Sequence, residues 1–308
     1  MHVRMRPTEA IHFAALAVLS ILALLLWGRL EDPGAMLLGY AGLAAALAVM
    51  TLLARRQDRL PAPLQLLVDF YPAAFLPVLF NTLNPLIEAL RGGARDDVLI
   101  AADRALFGVD VTVWMEQFVH PRLNDVFFVF YATYYFFALT LGLILWARDR
   151  ASARRFIFTL MVCYYISYAG YFLIPALGPR FAQASEYTVS ILTSPVSRAI
   201  ADGINSLEKT KLDVFPSGHT MIAVAVLIVA WKRARDVFWI LLPIGTGLVI
   251  STVYCRYHYV VDLLAGIVLA FLAVPLGDRL YEKLRARQRV GVRPRSGPPP
   301  PAEKALSG

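Results

Sequence analysis

The sequence predicts an all-α, polytopic membrane helical bundle, and three observations support this prediction. Hydrophobic residues make up 58% of the 308 positions, and the mean hydropathy is +0.58. Charged residues make up only 17%, which is too few to cover the surface of a water-soluble domain of this length. The apolar residues also recur in runs of about 20, the length that a helix needs to cross a bilayer core.

Eight segments approach this length, so about eight transmembrane helices are predicted. The third is interrupted by Asp69, Pro72 and Pro77, and the sixth is short at its polar start. The first lacks a small-residue cleavage site, so it predicts a retained anchor rather than a cleaved signal peptide. The predicted spans cover residues 11–28, 35–54, 64–84, 124–147, 155–175, 217–232, 237–254 and 258–276.

The positions of the 30 lysines and arginines predict the orientation of these spans. If both termini are cytoplasmic, most of these residues lie on the cytoplasmic side, as the positive-inside rule requires. Many of them belong to residues 277–308, which predict a basic, Pro-rich, disordered cytoplasmic tail near anionic headgroups. The tail accounts for much of the net charge of +8, so the lipid bilayer and not nucleic acid is the expected partner.

Two long connections, 85–123 and 176–216, fall on the opposite, non-cytoplasmic side. The first has apolar positions at helical spacing, which predicts interfacial helices at 97–120. Within it, Asp103 and Arg104 are expected to pair with each other and to pin the interfacial helix.

The sixth span opens with a motif suited to holding a phosphate group. Pro216 precedes Ser217, a good helix cap, and Gly218 allows a ligand to approach the backbone closely. The amide groups at a helix start, together with the positive end of the helix dipole, favour phosphate oxygens. His219 then lies within the first turn.

The eighth span opens with His258 and Asp262, which are four residues apart and share one helical face. A carboxylate in that position can keep one imidazole nitrogen protonated and leave the other free as a nucleophile. Arg256 and Arg180 add cations on the same side of the membrane, where they are predicted to bind a phosphate group.

Each of these residues also has a structural explanation. A Pro-Ser-Gly tripeptide commonly forms a turn, and an arginine near the end of a span commonly snorkels to headgroups. The combination favours function, because two histidines open different spans at one membrane face and one of them has a carboxylate at the fourth position. The tyrosines of the fourth and fifth spans are explained by interfacial belts and core packing, or by a lipid groove.

The residues Pro216-Ser217-Gly218-His219, followed by His258-x-x-x-Asp262, resemble the type 2 phosphatidic acid phosphatase superfamily. The resemblance implies a six-helix catalytic core over residues 64–276, preceded by two N-terminal helices in residues 1–63. It implies that His258 attacks phosphorus, that Asp262 orients His258, and that His219 protonates the leaving alcohol. Arg180, Arg256, Ser217 and Gly218 would bind the phosphate, and neither a metal nor a cofactor is required.

Two departures point to one branch of that superfamily. Gly178-Pro179-Arg180 stands where phosphatases usually have Lys-x6-Arg-Pro, and Thr252 stands where a Ser-Arg pair usually begins the last signature. The relaxed signature at 251–266 and the stretch from Asp103 to Gly108 are similar to the inositol phosphorylceramide synthase branch. Members of that branch transfer a phospho-headgroup from a phospholipid to a lipid alcohol acceptor.

Three functions therefore stay open at this point. Transfer between lipids is the leading hypothesis, and release of phosphate to water by a lipid phosphate phosphatase is the alternative. A transporter or scaffold is disfavoured, because the ionisable residues do not continue through the cytoplasmic half of spans six to eight. The compact loops predict a bacterial inner membrane, with the active site at its periplasmic face.

Overall fold

The computed structural model describes residues 5–207 and 210–290, without the side chains of residues 58 and 288–290. Within these ranges the chain is helical and has no β-strand, which confirms the all-α class. The α-helices are α1 (Pro7–Leu25), α2 (Pro33–Ala54), α3 (Ala62–Phe80), α4 (Leu83–Arg91), α5 (Asp96–Phe107), α6 (Val111–Trp114), α7 (Pro121–Ala132), α8 (Tyr134–Arg148), α9 (Arg150–Leu173), α10 (Pro179–Ala182), α11 (Pro195–Leu207), α12 (Gly218–Arg233), α13 (Arg235–Tyr254) and α14 (Val260–Val290).

Six of the described helices are long and apolar enough to cross a membrane, namely α1, α2, α3, α9, α13 and α14. The predicted span 124–147 is two helices, α7 and α8, which meet at Thr133 and are bent by 46°; counted as one span, they make a seventh. α12, the predicted sixth span, has only 16 residues. Its start is buried among other helices, so it need not reach the membrane surface by itself.

Several predicted boundaries differ from the observed ones by a few residues; α9, for example, begins at Arg150 instead of residue 155. The third span ends at Phe80 instead of residue 84, because the chain turns there before α4 begins at Leu83. α14 continues to Val290, although the predicted disordered tail begins at 277; the rest of that tail, residues 291–308, lies outside the described residues. Arg155 binds Asp278 at 2.5 Å and Glu282 at 2.9 Å, which ties this extension of α14 to α9.

α9 lies at the centre of the bundle and packs against α3, α8, α12 and α14. Close approach of these helices depends on glycine at defined positions. A Cβ on Gly277 would lie 3.0 Å from the Thr159 backbone, and a Cβ on Gly266 would lie 2.8 Å from the Ser217 carbonyl oxygen. α14 therefore lies tightly against both α9 and the start of α12, which fixes where its own first turn lies.

The predicted interfacial segment 97–120 contains α5, α6 and a 3₁₀ helix, Met115–Phe118. α5 packs against α14, and α7 packs against α11 and α13. Together with the loop before α12, these elements cover the end of the bundle at which α12 and α14 begin. Their position at a membrane interface stays a prediction.

Candidate functional site

His219 lies in the first turn of α12, which Ser217 caps. The Ser217 hydroxyl accepts a hydrogen bond from the Thr220 amide at 3.2 Å, as expected for this residue type at a helix start. Gly218 is required by its surroundings, because a Cβ there would lie 2.6 Å from the Tyr171 hydroxyl. The motif therefore brings the end of α9 directly against the start of α12. His219 itself is only 8% exposed.

His258 and Asp262 lie together at the start of α14, as their spacing predicted. The Nδ1 atom of His258 is 3.4 Å from Oδ2 of Asp262, and the same oxygen accepts a hydrogen bond from the Tyr259 amide at 2.9 Å. The carboxylate thus faces the Nδ1 nitrogen of the imidazole ring. The Ser217 amide donates to the Asp262 carbonyl at 3.2 Å, which joins this turn to the cap of α12.

The two histidines meet across the gap between α12 and α14. Nδ1 of His219 is 3.2 Å from Nε2 of His258, although the residues are 39 positions apart in sequence. If Asp262 holds the proton on Nδ1 of His258, its Nε2 atom carries a lone pair and accepts this hydrogen bond from His219. The arrangement leaves a nucleophilic nitrogen of one ring pointing at a proton donor on the other.

Arg180 lies at the same cavity as both histidines. The small cavity is lined by Tyr131, Leu177, Arg180, Asp213, Val214, His219, Tyr257 and His258. The guanidinium of Arg180 lies 4.1 Å above the Tyr257 ring, and its Nη1 atom donates to Asn205 at 3.0 Å. The segment 174–180 follows α9 and is called the arginine loop below. The Arg180 amide donates to the Arg256 carbonyl at 2.9 Å, which holds the arginine loop against the residues that precede His258.

Arg256 has a different position from the predicted one. Its Nη2 atom donates to Glu116 and to the Val189 carbonyl, each at 2.8 Å, and its guanidinium stacks 3.7 Å from the Tyr187 ring. Arg256 also adopts a left-handed backbone conformation, with φ of 64°. It does not line the cavity that holds Arg180 and the two histidines.

Glu116 organises the loop around Arg256. Its carboxylate accepts hydrogen bonds from the Thr188 and Val189 amides at 3.1 Å, besides the one from Arg256. Burial opposes ionisation of Glu116, but the hydrogen bonds from these amides and the charge of Arg256 outweigh it and hold its pKa below the ordinary value. Arg256 and Glu116 therefore form a charged contact that ties the loop after α10 to the start of α14.

The sequence-based interpretation missed the role of the acidic residues of α5. The expected pair between Asp103 and Arg104 does not form. Arg104 pairs with Asp110 instead, at 2.7 Å. Asp103 instead accepts hydrogen bonds from the first amides of α14, Val260 at 2.9 Å and Val261 at 2.8 Å. The only signal in the sequence is the spacing of Asp96 and Asp103, seven residues apart on one face of a helix.

A second, larger cavity of about 390 Å³ adjoins the histidines from the interior of the bundle. Gly218, His219 and Asp213 line one end of it. The rest of its wall is mostly apolar and aromatic and comes mainly from α3, α8 and α9, including Leu76, Phe80, Tyr134, Tyr164, Tyr168 and Tyr171. The aromatic side chains of the fourth and fifth predicted spans thus surround a cavity that leads to His219.

The described residues include no group of three or more His, Cys, Asp or Glu side chains placed to hold a metal ion. The charged and nucleophilic groups at the site are supplied by the chain itself.

Comparisons with known proteins agree with the motif. The sequence model of the PAP2 superfamily matches residues 97–276, which contain all of α5 but its first residue, α6 to α13, the first half of α14 and every predicted site residue. No curated protein and no solved structure gives a significant match to the chain.

Proposed function

Since the chain belongs to the PAP2 superfamily, whose members act on lipid phosphates in membranes, we propose that it is a phosphotransferase that forms a phosphohistidine on His258. The observation that carries this proposal is the 3.2 Å contact between Nε2 of His258 and Nδ1 of His219, with Asp262 behind His258 and Arg180 at the same cavity. A nucleophile, its orienting carboxylate, an acid and a phosphate-binding cation thereby converge on one point.

In the first step, the lone pair on Nε2 of His258 attacks phosphorus, and the bond from phosphorus to the leaving alcohol breaks. A phosphate group that enters between the two rings replaces their mutual hydrogen bond with one contact to each. His219, which enters this step as the imidazolium, gives one proton to the departing oxygen and becomes neutral, and Asp262 stabilises the positive charge that develops on the His258 ring. Arg180 neutralises charge on the non-bridging oxygens.

In the second step, His219 takes a proton from the acceptor hydroxyl, which attacks phosphorus and releases His258. The larger cavity supports a lipid as the partner in these steps, because its volume and its aromatic wall suit a hydrocarbon chain. The low exposure of the site, 8% for His219 and 3% for His258, supports an acceptor that arrives from the bundle interior rather than from water. We therefore propose transfer of a phospho-headgroup between lipids, at the non-cytoplasmic face of a bacterial inner membrane.

The covalent intermediate is the first test. We expect purified protein incubated with ³²P-labelled short-chain phospholipids to acquire an acid-labile, base-stable label. The label should be absent from His258→Ala and present in His120→Ala, a control that removes an exposed histidine outside the site. Labelling of His258→Ala at the parental level would overturn His258 as the nucleophile, and a parental protein that acquires no label at all would leave a transporter or scaffold as the better hypothesis.

The acceptor is the second test. Labelled phosphatidylinositol or phosphatidic acid is supplied with and without ceramide or diacylglycerol, and the labelled products are separated. Transfer predicts a labelled lipid product that depends on the added lipid alcohol. A water-soluble phosphate as the only product, whatever acceptor is present, would show that water is the acceptor and would identify the chain as a lipid phosphate phosphatase; the product is free phosphate from phosphatidic acid and inositol phosphate from phosphatidylinositol.

A further inference from the structure

We propose that α5 positions the active site through two buried carboxylates: Asp103 holds the start of α14 beside His258, and Asp96 holds the loop that carries Arg180. This proposal rests on the function proposed above, because it assigns a mechanical role within that site. Neither carboxylate lines the two cavities at the histidines, so both act through other residues. They are positioning residues rather than catalytic ones.

Asp103 occupies the helix start that follows His258. Its Oδ2 atom accepts from the Val260 amide at 2.9 Å and its Oδ1 atom from the Val261 amide at 2.8 Å. The first amides of a helix have no partner within the helix, and a carboxylate satisfies two of them while interacting favourably with the helix dipole. Asp103 is only 2% exposed, so water does not compete strongly for these bonds.

The bonds to Asp103 determine where Asp262 and His258 lie. The Tyr259 amide, which precedes the two amides bound by Asp103, donates to Oδ2 of Asp262. This is the oxygen that faces Nδ1 of His258. Three successive amides are therefore held by two carboxylates, one from α5 and one from α14 itself. Rotation of this turn would lengthen the 3.4 Å contact between His258 and Asp262 and turn Nε2 of His258 away from His219.

Asp96 ties the arginine loop to the same turn. Its Oδ2 atom accepts from the Leu177 amide at 2.9 Å, and its Oδ1 atom accepts from the Gly178 amide at 2.8 Å. Oδ1 also accepts from the Tyr259 hydroxyl at 2.9 Å. One carboxylate thus links the loop that ends at Arg180 with the residue after His258.

The two carboxylates act together because α5 is one helix. Asp96 and Asp103 are seven residues apart, which is close to two turns, so both face α14 and the arginine loop. The spacing of these two carboxylates along α5 therefore helps to set the distance between Arg180 and His258. Neighbouring Asp97 is exposed and, among the residues that the structure describes, pairs with Arg95 at 3.6 Å, so it provides a matched control on the same helix.

The two substitutions are expected to affect different kinetic constants. Asp103→Asn loses a negative charge and places an amide NH₂ against a backbone N–H, which moves His258 and Asp262; kcat should fall by about 10- to 100-fold with little change in KM. Asp96→Asn loosens the loop that carries Arg180, so KM should rise about 10-fold with a smaller change in kcat. Asp97→Asn should leave both constants within about twofold of the parent.

The experiment uses the full chain in lipid nanodiscs, with short-chain phosphatidic acid and phosphatidylinositol as probes and His258→Ala as a reference. Thermal unfolding is measured for each variant, and Asp103→Glu and Asp96→Glu, which keep two acceptor oxygens, should recover part of the affected constant. Asp103→Asn and Asp96→Asn constants equal to those of Asp97→Asn would overturn the proposal, as would parallel losses that follow unfolding alone. If the asparagine variants do not fold, the same split between kcat and KM is required of the glutamate variants. Activity retained by His258→Ala would instead refute the proposed function itself.

Discussion

The two ends of α9 each bury a carboxylate near a cluster of ionisable groups, but the two carboxylates are bound very differently. At its first turn, Asp69 of α3 accepts from the Nε atoms of Arg150 at 2.5 Å and Arg154 at 2.7 Å. Gln57 and Trp146 also donate to it, at 2.7 and 2.9 Å. At the other end, Asp262 accepts one amide hydrogen bond and faces His258 at 3.4 Å, and its Oδ1 atom has no hydrogen-bond partner among the described residues.

Both carboxylates have no exposed side-chain surface, so burial does not separate them. What separates them is the supply of donors. Every acceptor site of Asp69 is used by cations and polar groups, so this carboxylate serves to join α3, α8 and α9. Asp262 has one amide donor and faces a single imidazole ring. The first cluster is therefore expected to stabilise the fold, whereas under the proposed function Asp262 stabilises a positive charge on His258.

The largest expected difference between the two regions concerns histidine. His258→Ala should reduce turnover by about 10⁴-fold or more, because it removes the proposed nucleophile. His219→Ala should be rescued in part by a p-nitrophenyl phosphate ester, whose leaving group needs no proton. His12 is equally buried but contacts the Pro72 carbonyl at 2.9 Å and the Tyr165 hydroxyl, so His12→Ala should lower thermal stability and leave turnover per folded molecule unchanged.

Equal losses of turnover in the His12 and His258 variants would remove the distinction between structural and catalytic histidines. Thermal unfolding of each variant must therefore be measured in the same detergent as its activity, so that turnover is expressed per folded molecule.

The next prediction compares the carboxylates themselves. Asp262→Asn should lower kcat by about 10²- to 10⁴-fold with a small change in stability, because an amide cannot stabilise a positive imidazole ring. Asp69→Asn should destabilise the fold by about 3 kcal/mol, because it leaves the arginines at this end without their common counter-ion. The expected pattern is a loss of activity in one variant and of melting temperature in the other. The opposite pattern would contradict the assignment of the two clusters.

A smaller effect is expected where the arginine loop passes the catalytic turn. Gly178 has φ of 88°, and a Cβ there would lie 2.7 Å from the Tyr257 carbonyl oxygen. Gly178→Ala should therefore displace Arg180 and raise KM about 10-fold. Gly92→Ala is the matched control, since Gly92 has φ of 73° but no neighbour within 4 Å, so it tests backbone strain without a clash.

If Gly92→Ala raises KM as much as Gly178→Ala does, backbone strain in the left-handed region, rather than the position of the arginine loop, accounts for the increase. Substrate concentration curves for both variants, with the same short-chain lipid probe, separate these outcomes.

The smallest effect is expected at the contact between Glu116 and Arg256. The pKa of Glu116 is held below its ordinary value, so its bonds stabilise the loop at all pH values above the ordinary glutamate pKa and are lost as pH falls through the lowered one. Glu116 therefore stays ionised between pH 5 and pH 8, and the protection that it gives the amides of residues 188–189 against hydrogen exchange should be constant over this range. Glu116→Gln should speed that exchange severalfold and change turnover by about two- to fivefold.

A turnover loss as large as that of Asp262→Asn would show that Arg256 and its loop belong to the chemistry after all. Arg256→Lys then distinguishes a stacked, two-contact guanidinium from a simple cation, because lysine can keep the charge but not the packing on Tyr187.

Much of this molecule could be predicted from local properties of the chain. Composition and apolar runs indicate a helical membrane protein. The four-residue spacing predicted that His258 and Asp262 lie together, although His258 precedes α14, which begins at Val260, so the two residues do not share a face of that helix. Ser217 caps α12 because a hydroxyl at a helix start binds the amide three residues later, a contact within one turn. The positions of α1, α2, α9 and α13 follow the apolar segments within a few residues.

Contacts between distant segments were decided by the tertiary structure. The break at Thr133 divides a continuous apolar run into α7 and α8, and Arg256 turns towards Glu116, 140 residues away, instead of towards the histidines. Asp103 binds a helix start 157 residues later, so its role has no local signature. The helices and the chemical groups at their ends can be predicted from the chain alone, because they depend on neighbours within a turn. Which charge meets which amide was decided only by packing, because that depends on how whole helices approach one another.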